Sequence, residues 1–186
     1  MGNNINVLDL DSLSQGIDVI LPVNEGYFKT SCEICLDYHE HQSGVLIDIQ
    51  QNNELIQIPL SWSGEITEKE RNAFADLVVA AEIGACAIAF IIIRDLTEYK
   101  TISQSVRGTA FDYYLSNKSD DTLIFNDTAC VEISGILEEN DNNTIDKRVK
   151  SKKKRFYKRY PNEDSPNPAF IIVVDFKKPK SSMVTI

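Results

Sequence analysis

Residues 169–176 read AFIIVVDF, six consecutive apolar residues before Asp175 and Phe176, and follow the proline- and asparagine-rich stretch PNEDSPNP. A strand with one wet face alternates apolar and polar residues. A strand that does not alternate is covered on both faces, as in the middle of a sheet packed by helices. The chain must therefore supply helices to two sides of a sheet, which points to an α/β protein.

The helices have recognisable signals. Thr67-Glu68-Lys69-Glu70 is a capping box, in which the Thr67 hydroxyl accepts a backbone N–H and Glu70 reaches back to the cap. Phe74, Leu77, Val78 and Ala81 follow at helical spacing, and the alanine-rich stretch through Gly84 continues to about Leu96. AIAFIII within it reads as strand or helix by periodicity alone; its context favours one long, largely buried helix, bent near Gly84. Thr144 before Ile145-Asp146 resembles a second N-cap, and that helix runs to about Tyr160, where the proline-rich stretch ends it.

Between the two helices lie KTISQSV and TAFDYYL, split by Arg107-Gly108, which read as a hairpin. Leu123-Ile124-Phe125 then leads to ACVEISGIL, a strand with Ala129, Val131 and Ile133 on one face and Cys130, Glu132 and Ser134 on the other. Upstream, residues 1–26 read as an arm. CEICLDY, GVLIDIQ and ELIQIPLSW read as a small antiparallel meander, so residues 1–66 are expected as an arm and β extension packed on a core of residues 67–186.

A chain of 186 residues suits one domain of about 100–200 residues. Its opening segment lacks the basic and apolar regions of a secretory signal, and the longest apolar run, Ile83 to Ile93, is about half of the ~20 residues a bilayer crossing needs. A cytoplasmic protein without membrane contact is expected. Cys32, Cys35, Cys86 and Cys130 are expected as reduced, buried thiols. Cys32-x-x-Cys35 with His39 and His41 lacks the second, well-separated pair of a zinc knuckle, so no zinc is expected.

Charge is distributed unevenly. The net charge is -9, yet nine of the nineteen Lys and Arg residues fall in KRVKSKKKRFYKR, residues 147–159. A concentrated cationic segment on an acidic body fits a local phosphate-binding surface, with Lys147, Arg148, Lys150, Lys152, Lys153, Lys154 and Arg155 as candidate nucleic-acid contacts. The plainer reading is a solvated helix face balancing nearby acids.

Three carboxylates fall on the predicted core: Glu82 on the first helix, Asp112 on the second strand and Glu132 on the third. Two or three carboxylates held on a rigid sheet bind Mg²⁺, which activates water and offsets the charge growing on a phosphate. No GxxxxGK[ST] or GxGxxG phosphate loop and no GxSxG elbow competes with this site. Each acid also has a structural alternative: Glu82 and Asp112 as solvated residues, and Glu132 as one half of a buried pair.

The order helix, strand, strand, strand, helix, strand, with these acids, resembles the PD-(D/E)XK nuclease superfamily and its αβββαβ restriction-endonuclease-like core, over about residues 67–176. The resemblance implies a metal-dependent phosphodiester hydrolase with Asp112, Glu132 and Glu82 at Mg²⁺, and a restriction or antiphage context. The third strand of that family carries an acid, any residue, then lysine. Here it reads Glu132-Ile133-Ser134, and Ser134 cannot carry positive charge. Either a lysine of the following helix takes that place, or the chain is a degenerate relative acting as a binding or assembly subunit. The expected partners are nucleic acid, DNA ahead of RNA, and a further protein in a multi-subunit system.

Overall fold

The computed structural model describes residues 6–17, 25–52, 54–117, 129–161 and 165–186. The Leu123-Ile124-Phe125 run lies outside the described residues. The elements are β1 (Leu8–Asp9), a short 3₁₀ turn (Leu10–Ser12), α1 (Glu25–Tyr38), β2 (Val45–Gln51), β3 (Glu54–Ser61), α2 (Glu68–Ala73), α3 (Leu77–Leu96), β4 (Thr101–Gln104), β5 (Tyr113–Ser116), β6 (Ala129–Ile136), α4 (Ile145–Arg159), β7 (Ala169–Asp175) and β8 (Lys180–Thr185). The protein is mixed α/β. The eight described strands form one sheet in the order β1-β3-β2-β8-β7-β6-β5-β4.

β7 occupies the interior that its composition demanded. It runs parallel to β6 and antiparallel to β8. Phe170, Ile172 and Val174 join the main core with α1 and α3, while Ala169, Ile171 and Val173 face the other way, toward Phe156 and Ile145 of α4. β6 repeats the pattern: Ala129, Val131 and Ile133 lie in the main core, and Cys130 and Ile136 under α4. One sheet face is thus covered by α1 and α3, and part of the opposite face by α4.

The predicted long helix is divided. The Thr67–Glu70 capping box forms, but it starts only the short α2. Asp76 then opens α3, its Oδ1 accepting the N–H groups of Val78 at 3.0 Å and Val79 at 3.2 Å. A second cap stops the first helix from running on. Gly84 lets α1 come close to α3, since a Cβ there would sit 2.7 Å from the Cys32 backbone. α3 is long and apolar enough to cross a membrane, but most of it is buried in this core.

The first strand expected in residues 1–66 is also a helix. CEICLDY belongs to α1, where Phe28, Cys32 and Cys35 recur at helical spacing and are buried. The whole stretch from Ser31 to Leu36 is buried, so no polar face marks the helical period, and the alternation read there was accidental. β2 and β3 do form the expected antiparallel hairpin. It joins the one sheet through parallel pairing of β2 with β8, and β1 adds to its far edge, parallel to β3. His39 and His41 bind backbone carbonyls: His39 Nε2 meets Leu137 O at 2.8 Å, and His41 Nε2 meets Phe176 O at 3.0 Å.

Glu33 of α1 is buried, and desolvation pushes its carboxyl up to about 7; Lys29 opposes that rise, while Asp11 and Glu70 add to it. The native state therefore binds this proton more tightly than the unfolded chain does. Stability from this group is complete below about pH 4.5 and is lost as pH rises through about 7. Glu33→Gln is expected to stabilise the protein at pH 8 by about 1–2 kcal/mol, less than the full shift because the variant forgoes Lys29, and to give no gain near pH 4.5. Thermal melts of both proteins across this range test the sign.

Candidate functional site

The site begins where the sheet opens. β5 pairs with β6 only over Ala129–Val131. Asp112, one residue before β5, still donates its N–H to Val131 O at 2.9 Å, while its own carbonyl accepts the Ser105 N–H at 2.8 Å. Beyond Val131 that edge of β6 has no backbone strand partner among the described residues, and side chains take over. Asp112 Oδ2 accepts the Ile133 N–H at 2.8 Å, and Glu82 Oε2 accepts the Gly135 N–H at 3.0 Å. Two predicted site carboxylates thus lie along one strand edge, each satisfying a buried donor.

Gly135 brings Glu82 there. A Cβ at this position would lie 1.9 Å from Ala81 O and 2.8 Å from Glu82 N, so only glycine lets the first turns of α3 touch β6 backbone to backbone. Glu82 Oε1 then pairs with Arg148 Nη1 at 2.8 Å, and the same Nη1 donates to Ser134 Oγ at 2.9 Å. Arg148 Nε donates to Asn143 Oδ1 at 2.6 Å, which fixes the guanidinium.

Glu132 lies on the α4 side of β6 and is only 3% exposed. Its Oε1 accepts from Lys152 Nζ at 2.5 Å and also from Arg155 Nη2, while Oε2 is buried without a hydrogen-bond partner among the described residues. Burial raises the Glu132 carboxyl above its ordinary range and the nearby Asp112 charge adds to this, with Lys152 and Arg155 pulling the other way. Leaving the acid charged here requires those two cations.

Glu82, Asp112 and Ile133 line a cleft of about 870 Å³. Arg107 and Gly108 of the β4–β5 loop form one wall, and Arg155, Lys158 and Arg159 of α4 the other. Arg159 Nε donates to Gly108 O at 3.2 Å and so links the two walls. The acidic Glu82 and Asp112 are half-buried in this lining, and the cationic Arg107, Arg155, Lys158 and Arg159 are exposed around them.

The predicted residues divide accordingly. Glu82 and Asp112 reach the cleft, whereas Glu132 and Ser134 sit behind Ile133, toward α4. Among the described residues, no three His, Cys, Asp or Glu side chains are gathered closely enough to share a metal ion. Of the basic segment, Arg148, Lys152 and Arg155 pair with acids, Lys147 donates to Asp141 O, and Lys150 and Lys154 are exposed. Three cleft cations lie outside the residues named as candidate contacts: Arg107, Lys158 and Arg159. Lys158 and Arg159 belong to the same charge run, and Arg107 stood in the glycine break of the hairpin. Comparison of the chain with protein-family models, with curated proteins and with solved structures finds no match.

Proposed function

We propose that this chain is a metal-dependent nuclease, or the nuclease-like subunit of a larger system, acting on nucleic acid with DNA ahead of RNA. The observation that carries the reading is the opened edge of β6, where Asp112 and Glu82 line a cleft together with Arg107, Arg155, Lys158 and Arg159. The order α3, β4, β5, β6, α4, β7 supports an αβββαβ, restriction-endonuclease-like core.

The donor set suits Mg²⁺. Its ligands are hard oxygens, and one or two carboxylates completed by water and substrate phosphate suffice. Asp112 Oδ2 accepts the Ile133 N–H, and Asp112 Oδ1 carries no hydrogen bond to another described residue. Asp112 and Glu82, which line the cleft, would hold the ion together with water and substrate phosphate, while Glu132 stays paired with Lys152 and Arg155 toward α4. When bound it supplies an activated water and neutralises charge on the phosphate. Lys152 brings to Glu132 the positive charge that Ser134 cannot provide, and Arg107, Lys158 and Arg159 hold flanking phosphates.

A second reading has its own support: Glu82 and Glu132 already have cationic partners, as they would in a degenerate binding or assembly subunit. End-labelled DNA and RNA incubated with Mg²⁺, Mn²⁺ or EDTA separate the two. The nuclease reading expects cleavage with either metal and none in EDTA. Uncut substrate under every condition leaves the binding subunit.

A further inference from the structure

We infer that the cleft takes an unstacked nucleotide of a single-stranded nucleic acid, its base against the apolar inner wall and its phosphates on the exposed cationic side chains. The inference rests on the nuclease reading only for which phosphate is cut; the binding mode stands on the shape and lining of the cleft.

A volume of about 870 Å³ is that of a pocket enclosing a small organic molecule, roughly 300–1,000 Å³. That range admits a ligand the size of a nucleotide. Its inner wall is apolar, with Phe28, Ile83, Tyr113 and Ile133 contributing. That wall is rigid: Phe28 and Tyr113 each pack edge-on against Phe90, at 5.4 Å and 5.0 Å between ring centroids. Val106, 70% exposed, adds an apolar tip beside Arg107 on the outer loop.

Duplex bases are stacked and paired, so a double helix presents phosphates to such a cleft and leaves the apolar wall unused. A single strand presents both parts of a nucleotide. Its bases are free to lie on apolar or aromatic surface, and its backbone tracks a basic groove. The Arg159–Gly108 hydrogen bond holds the β4–β5 loop to the end of α4, so two cationic elements of the lining are tied together.

The test is fluorescence anisotropy of the full chain in Ca²⁺, so that binding is measured without turnover. The probes are single strands of about a dozen nucleotides, as DNA and as RNA, the corresponding duplexes, and an abasic strand of equal length. Single strands are expected to bind at least about 10-fold more tightly than duplexes, and the abasic strand to lose about 10-fold or more, since each stacked base contributes about 1–3 kcal/mol. The DNA and RNA arms tell which sugar is preferred. Arg107→Glu, on an exposed loop, is expected to weaken single-strand binding about 10-fold with an unchanged melt. Duplex binding as tight as single-strand binding, or an abasic strand equal to the intact one, overturns the inference. Failure of the nuclease reading is a different result: no cleavage of the same strands in Mg²⁺, with these affinity ratios intact.

Discussion

Asp112→Asn is expected to lower Mg²⁺-dependent cleavage by more than about 100-fold, because even groups outside the first ligand shell of metal sites cost about 10–100-fold when removed. The substitution separates chemistry from folding. An asparagine amide oxygen still accepts the Ile133 N–H that Asp112 Oδ2 accepts at 2.8 Å, so the β6 edge keeps its partner and the melting temperature should change little. What is lost is the negative charge in the cleft. Single-turnover cleavage rates of both proteins, measured beside thermal melts, check the expectation. A variant that cleaves at the wild-type rate removes Asp112 from the reaction, whereas one that loses activity and structure together makes its carboxylate a packing group.

The largest effect on stability is expected from Gly135→Ala. A Cβ would fall 1.9 Å from Ala81 O and 2.4 Å from Ala81 C, and both are backbone atoms of α3 that cannot rotate away. α3 must move off β6. Ordinary over-packing costs about 1–3 kcal/mol; backbone against backbone should reach or exceed the top of that range, about 3 kcal/mol or more. The variant should also detach Glu82 from the Gly135 N–H and weaken the Arg148 and Ser134 network that this contact supports. Urea unfolding measures the loss. A change below about 1 kcal/mol would mean that the two elements are not held in this close contact.

The parts of the fold legible in the sequence were those with a local chemical marker. The Thr67–Glu70 box, the Thr144 cap, the Arg107-Gly108 break and the unbroken apolar run of β7 each show in a few adjacent residues. α1 was illegible because Ser31 to Leu36 are all buried, leaving no solvent face to reveal a period. Asp76 was overlooked because its capping competes with the continuing helical pattern on either side. At the site, the apolar neighbours of Glu132 foretold its burial. The opening of the sheet could not be read, since it depends on how few β6 residues β5 reaches. Nor could the pairing of Arg148 with Glu82, which joins positions 66 residues apart.

The sheet order has a consequence for how the molecule is assembled. β8, the last of the eight described strands, lies between β2 and β7 and is their shared neighbour. The β2–β3 hairpin can form early and locally, but it has no edge to dock on until β8 is in place. During synthesis, which delivers the N-terminal part first, the hairpin must wait with its inner edge unpaired, and long-range pairing of this kind is slow. β8 is therefore the clasp of the molecule: its arrival joins the waiting hairpin to the β7-β6-β5-β4 strands in one continuous sheet.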